Sequence, residues 1–352
     1  MLLLAPAAVL LIGVNLWSDP AGLFRQRQER EIVQHLLEGK NVANVHNHDD
    51  RQNLRYFVAG LNTPKDVLVF GSSRLMVIDS SFFPGETLFN ASVAAGTLRD
   101  LVADYQLFHE KGLIPKRIFI GVEPYMLNGG YSNKMYLRAE YHRGLDRLGL
   151  EEQDDLPILA RFIDRRYAQL LSPTYFQVSL AFASGIIKNG RPEPYVTTEF
   201  EVDEQMIRAD GSLSYGLSRR ALSRAEVEDK AFRFVSKHPE ELANFRRLDP
   251  RLTRIFEVFT ESLLAEGVQP VFIMAPYHPV SYRLMMENDT YRIAGEVQRY
   301  YEDFAVAHGI PVYGSYDPAA CGFTADDFYD AAHCSREALV RLFQAGPASL
   351  PR

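Results

Sequence analysis

Hydrophobic positions in this chain fall into short continuous runs separated by longer amphipathic stretches. The runs at 66–70, 87–90, 117–122, 268–275 and 310–313 are apolar and rich in β-branched or aromatic residues. Short, uninterrupted runs of that kind predict strands buried on both faces. Helical periodicity follows the second run over 98–111, stopping at Gly112. It recurs over 252–266, stopping at Gly267, and over 293–307, stopping at His308-Gly309. Glycine past the last periodic residue is a helix-stop signal. A last helix is expected over 335–344, with Ser335 as its N-cap. Alternating strands and helices predict an α/β fold with a parallel sheet covered on both faces.

Three stretches depart from this alternation. The first, Met1 to Trp17, carries no charge and is nearly all apolar. Its length is close to the minimum for a membrane span. It lacks the basic start and small-x-small cleavage site of a signal peptide, and Trp17 suits a membrane–water boundary. A membrane anchor is therefore expected over 1–20, with a cleaved signal or a buried helix as the competing readings. Arg25, Arg27 and Arg30 follow the run, which by the positive-inside rule argues for a cytoplasmic body.

Ser18-Asp19-Pro20 ends the apolar run and opens a lead-in over 21–65. Its 23–38 part reads as a charged amphipathic helix and its 41–50 part as a polar loop. His46 and His48 lie in that loop without a third ligand, so they read as solvated histidines, and no metal is expected. The third departure is 126–247, which interrupts the core between 66–125 and 248–352. It holds an apolar helical segment (176–187), a turn-rich stretch (188–194) and an Asp210-Gly211 turn. It reads as a mainly helical cap inserted over the sheet edge.

Composition narrows the function. The 352 residues are 47% hydrophobic and carry a net charge of −7, enough to bury a large core. No Lys/Arg cluster is interleaved with aromatics, which excludes nucleic acid as a partner. No glycine-rich phosphate loop is present, and no cofactor is implied. The two cysteines, Cys321 and Cys334, are too few for a zinc finger. They read as buried small hydrophobes or, in an oxidising compartment, as a disulfide.

Ligands of open parallel sheets bind at the C-terminal ends of the strands, so the strand exits are the place to look for chemistry. The first exit is Gly71-Ser72-Ser73-Arg74. The second begins at Asn90 and runs through Ala95 to Thr97. The third carries Glu123 and Tyr125, the fourth Tyr277 and His278, and the last crossover Asp330 and His333. A serine at an early exit, with Asp and His supplied late in D-x-x-H spacing, is the chain order of several α/β hydrolases. In this reading His333 is the general base and Asp330 orients it. Ser72 and Ser73 compete for the nucleophile. Arg74 is expected to pair with Glu123 across neighbouring exits, Tyr125 and Tyr277 to form pocket walls, and His278 to stand either in a loop or against substrate.

These blocks resemble those of the SGNH, or GDSL-like, hydrolase superfamily. Gly71-Ser72-Ser73 stands where the family has Gly-Asp-Ser, which implies Ser73 as nucleophile. Asn90 to Thr97 resembles N-x-S/G-x-x-G-x-T and implies the backbone N–H groups of Ser73 and Ala95 as the oxyanion donors. Asp330 and His333 match D-x-x-H in full. Glu123 replaces the family Asn, and an ionised carboxylate accepts hydrogen bonds but does not donate them. The resemblance implies a flavodoxin-like doubly wound sheet of about five strands in the order 2-1-3-4-5. It covers the sheet framework and not 126–247. An uncharged N-terminus with Gly-Ser-Ser is also similar to SGNH-like proteins of bacterial surface-polysaccharide assembly. The similarity implies an esterase or O-acyltransferase, in particular an O-acetyltransferase. Its body would face the periplasm at the inner membrane, with an acylated polysaccharide or acyl donor as substrate and a polysaccharide-export or membrane acyltransferase complex as partner. A non-catalytic, membrane-tethered binding or scaffold protein is the alternative.

Overall fold

The computed structural model describes residues 4–20, 26–46, 48–131, 136–152, 165–190, 192–237 and 239–348. Its centre is a five-stranded parallel sheet of β2 (Val67–Phe70), β3 (Leu88–Asn90), β4 (Arg117–Gly121), β8 (Gln269–Met274) and β9 (Val312–Gly314), in the spatial order β3-β2-β4-β8-β9. Each strand is there for a local reason. β2 reads Val-Leu-Val-Phe and every one of its residues is buried. Only a strand covered on both faces tolerates such a run. Helices α4 (Leu98–Glu110), α10 (Pro250–Ala265), α12 (Ile293–His308) and α13 (Arg336–Ala345) alternate with these strands. A Thr97–Asp100 capping box opens α4, and Ser335 accepts from Ala338 N to open α13. The core runs through Phe70, Phe119, Phe256, Phe259, Phe272 and Tyr301, each almost fully buried.

A second, antiparallel sheet was not expected. It has the order β5-β1-β6-β7, with β1 at Asn41–Ala43, β5 at Tyr195–Thr197, β6 at Met206–Ile207 and β7 at Leu213–Ser214. Residues 41–43 are thus a strand and not part of a polar loop. The inserted segment is mostly helical among its described residues, but it also supplies three of these four strands. The reason lies in pairing. Val42 sits opposite both Val196 and Ile207, so strands too short to stand alone share one central partner. The insertion also holds α5 (Arg138–Arg147), α6 (Arg165–Leu170), α7 (Pro173–Asn189), the short α8 (Leu217–Arg220) and α9 (Arg224–Ser236).

No N-terminal membrane helix is found. Helix α1 (Leu4–Ser18) has 15 residues, about 22 Å at 1.5 Å per residue, against about 30 Å of bilayer hydrocarbon. No helix among the described residues is long and apolar enough to cross a membrane. Asn15 breaks its apolar character from within: its Nδ2 donates to the carbonyls of Gln169 at 3.1 Å and Leu170 at 3.0 Å. The helix packs on α7, whose Tyr175 hydroxyl donates to Asp19. Arg25 lies outside the described residues.

The lead-in contains α2 (Gln26–Leu37) and α3 (Asp50–Gly60), the second capped by Asp49. His46 is exposed and bonded to Asn44, whereas His48 is not a solvated loop residue. Its ring is largely enclosed, with Nε2 2.8 Å from Asp50 Oδ1.

Candidate active site

The tight turn after β2 aims Ser73 out of the sheet while Ser72 and Arg74 point into it. Gly71 and Gly121 face each other across β2 and β4 so closely that a Cβ on Gly71 would sit 3.3 Å from the Gly121 Cα. Ser73 Oγ lies 2.8 Å from His333 Nε2, and His333 Nδ1 lies 2.8 Å from Asp330 Oδ1. A carboxylate on one ring nitrogen fixes the proton there and leaves Nε2 with its lone pair toward the serine hydroxyl. Ser73 thus meets His333, 260 positions later in sequence, and through it Asp330, in one hydrogen-bonded line.

The loop carrying the pair is held in several ways. Asp330 Oδ1 also accepts the backbone N–H groups of Ala332 and His333, each at 3.0 Å. Tyr329 N donates to His333 O at 2.8 Å. Burial works to raise the Asp330 pKa. The hydrogen bond and charge of His333, with Arg219 beside it, outweigh that and hold the carboxyl well below the usual carboxylate range.

Arg219 and Tyr215 are the site residues that sequence reasoning missed. Arg219 forms an ion pair with Asp330 Oδ2 and lies over the Tyr215 ring, 4.0 Å from its centroid. The Tyr215 hydroxyl donates to Ser73 O at 3.1 Å, and its ring stands edge-on to His333. Burial pushes its pKa up to about 12, so it acts as a hydrogen-bond donor and not as a base. Both residues follow the β6–β7 hairpin. That hairpin turns at Asp210-Gly211 and is tied to the sheet by Asn90 N to Asp210 O and Leu213 N to Met76 O, both 2.7 Å. The Asp210-Gly211 signal marks the turn in the sequence, but nothing there says which strand exit it covers.

The second serine is accounted for differently. Ser72 Oγ donates to Glu123 Oε1 at 2.6 Å, and Arg74 Nη1 donates to Glu123 Oε2 at 2.5 Å. The Arg74–Glu123 pair forms, but it is buried behind the site and not at its mouth: the side chains are 5% and 2% exposed. Arg74 further donates to the carbonyls of Ala275, Pro276 and Ala332, and stacks on Tyr277 at 4.1 Å. One guanidinium thereby joins the exits of β2, β4 and β8 to the His333 loop.

The turn expected to supply the oxyanion donors is shaped by its backbone. Ala95 adopts φ +49°, a left-handed conformation unusual for a residue with a Cβ. Glycine is required one position later, where a Cβ on Gly96 would overlap the Gly71 carbonyl. Tyr125 donates its hydroxyl to Gly96 O at 3.1 Å and so braces this turn. Asn90 does not reach a substrate position. Its Nδ2 donates to Leu75 O at 2.8 Å and Ile78 O at 2.9 Å, and its Oδ1 accepts from Ser92 N. His278 is likewise no substrate contact. It is fully buried, caps helix α11 (Pro279–Glu287) through Nδ1 and packs edge-on to Phe328 beneath the triad loop. Both shape the site from behind.

Cys321 and Cys334 are free thiols. Burial raises both, Cys321 to about 11, so neither is poised as a nucleophile. No group of His, Cys, Asp and Glu among the described residues is arranged to hold a metal ion.

No protein-family model matches the chain, and no curated protein matches it in sequence.

Proposed function

We propose that this protein is a serine acyl-transfer enzyme, an esterase or O-acyltransferase that works through Ser73, His333 and Asp330. The observation that carries the reading is the pair of 2.8 Å contacts linking Ser73 to His333 and His333 to Asp330. His333 removes the Ser73 proton as Oγ attacks an ester carbonyl. The C–O bond to the leaving alcohol breaks as His333 returns the proton to it. A second hydroxyl, of water or of a sugar, then attacks the acyl-serine carbonyl with His333 again as base, and the bond from the acyl carbon to Ser73 Oγ breaks as His333 returns that proton to Oγ. The N–H groups of Ser73 and Ala95 stabilise the oxyanion in both halves.

Glu123 favours a second reading, a non-catalytic binding protein. Both its oxygens are engaged by Ser72 and Arg74, so no side chain at that position donates to an oxyanion. Labelling by a fluorophosphonate decides between them. The wild type is expected to label at Ser73 and the Ser73→Ala and His333→Ala variants to fail; an unlabelled wild type leaves the binding protein. We also read the body as working at the outer face of the cytoplasmic membrane on an exported acylated polysaccharide, beside an export or membrane acyltransferase complex. The family resemblance supports this, as does the apolar surface of α1 and α7, where Val9, Leu10, Trp17, Val178 and Ile187 are exposed. Protease accessibility in spheroplasts tests it, and protection of the body would refute it.

A further inference from the structure

The start of α3 reaches the turn that carries Ala95. Asp49 caps this helix, so Asp50 and Arg51 occupy its first turn. Both take hold of Ala94. Asp50 Oδ2 accepts the Ala94 N–H at 2.9 Å, and Arg51 Nη2 donates to the Ala94 carbonyl at 3.1 Å. The Ala94 side chain is exposed, so what the lead-in grips is backbone.

Arg51 is itself fixed. It is 5% exposed, and its Nε donates to Asp100 Oδ1 at 2.7 Å. Asp100 uses its other oxygen to accept the N–H and the hydroxyl of Thr97, both at 2.8 Å, which closes the capping box of α4. One guanidinium fork thus ties the Ala94 carbonyl to the cap of the helix that follows it. The rigid fork suits a task that needs two acceptors bound at once.

The bond to the Ala94 carbonyl matters because of what lies across it. The Ala94 C=O and the Ala95 N–H belong to one peptide unit, and no peptide bond among the described residues is cis. In a planar trans peptide the two groups point in opposite directions. Drawing the carbonyl toward α3 therefore fixes the direction of the Ala95 N–H. Ala95 sits at φ +49°, a conformation that persists only where the surroundings hold it. A cationic donor on the carbonyl also polarises the peptide and strengthens its N–H as a donor. We propose that Arg51 is a positioning residue of the active site: it aligns and strengthens the Ala95 N–H through the carbonyl of the same peptide. This role rests on the serine acyl-transfer reading, in which that N–H meets the oxyanion. It brings the lead-in, which lies outside the sheet framework, into the catalytic apparatus.

The test compares Arg51→Met in an Asp100→Asn background with Asp100→Asn alone. The asparagine keeps an acceptor for Thr97 and leaves no stranded charge when the guanidinium is removed. Hydrolysis of p-nitrophenyl acetate gives kcat and KM. Alanine carrying ¹³C at the carbonyl and ¹⁵N at the amide gives an HNCO peak for each Ala–Ala pair, so Ala94–Ala95 is read directly. Outright loss of an oxyanion donor costs roughly 10²–10³-fold in kcat, so loss of its alignment is expected to cost on the order of tenfold. KM should change little and the Ala94–Ala95 peak should move. Asp100→Asn alone should keep most of the activity and the peak position. Arg51→Lys, whose ammonium lacks the fork, should fall between. An unmoved Ala319–Ala320 peak shows that each variant is folded; if the double variant does not fold, Arg51→Lys carries the same two readouts. An unchanged kcat, a rise in KM alone, an unmoved Ala94–Ala95 peak, or an equal loss in Asp100→Asn alone overturns the role of Arg51. Fluorophosphonate separates the two failures. A wild type that it does not label removes the enzyme and this role together, whereas a labelled wild type with any of those results removes only the role.

Discussion

Arg74 offers the sharpest test of how the site is held. Replacing it with methionine keeps much of the side-chain volume but strands the Glu123 carboxylate, which is 2% exposed, without its cationic partner. It also removes donors from the carbonyls of Ala275, Pro276 and Ala332. Breaking a buried pair from one side costs about 3–5 kcal/mol, because an uncompensated charge remains. We therefore expect Arg74→Met to lose about 4 kcal/mol in urea unfolding, and to melt on the order of 8 °C lower. The partner variant makes the expectation specific. Glu123→Gln in the Arg74→Met background removes the stranded charge while keeping an acceptor for Ser72. That double variant should recover about 2 kcal/mol relative to Arg74→Met alone, a coupling measurable in a double-mutant cycle. Purely additive effects of the two substitutions would refute the reasoning, since the loss would then come from packing and not from the buried charge.

Other outcomes follow from the same geometry. Arg219→Ala should lower kcat of ester hydrolysis about fivefold with KM little changed, because it removes one charge-assisted bond from a partly exposed Asp330. A rise in KM alone would assign Arg219 to substrate binding. Gly96→Ala should abolish activity and destabilise the protein measurably by thermal melting, as its Cβ has no room beside the Gly71 carbonyl. For pH dependence, burial lowers the His278 pKa below its ordinary value, so near pH 6 the unfolded chain binds this proton more readily than the folded one. Its contribution to stability is complete above about pH 6.5 and is lost as pH falls toward the lower folded value. His278→Asn, which retains a helix-capping acceptor, should shrink the difference in urea midpoint between pH 7 and pH 5. An unchanged difference would mean that other groups set that slope.

The parallel sheet was legible because its strands are continuously buried. Runs such as Val67–Phe70 and Gln269–Met274 admit no other economical placement, and the glycines after α4, α10 and α12 mark where each helix stops. Ser73, Asp330 and His333 were legible for a related reason: strand exits of such a sheet converge, so residues far apart in sequence can be ranked by which exit they leave from. The antiparallel sheet was not legible. Its strands are two or three residues long, and their identity depends on partners some 155 positions away, which no local pattern encodes. Arg219 and Tyr215 were hidden with it, since they reach the triad only through the hairpin that this sheet fixes. His48 misled because a polar neighbourhood in sequence gave no hint that α2 and α3 close over it.

The position of β1 at the centre of its sheet has a consequence for how the chain is made. Asn41–Ala43 pairs with Tyr195–Thr197 on one side and with Met206–Ile207 on the other. None of those residues exists when the strand first leaves the ribosome. At about 5–20 residues per second, synthesis of the missing partners takes roughly ten to thirty seconds. During that interval α2 and α3 can form, but the strand between them has nothing to pair with, and its backbone groups are open to other chains. Closure of this sheet is therefore a late step, and the pairing of the lead-in with the inserted segment is completed only then. Deleting the first 45 residues would do more than remove two helices. It would leave two inserted strands without their shared partner. The yield of folded protein should then depend on a holdase present during synthesis more than on the intrinsic stability of the finished sheet.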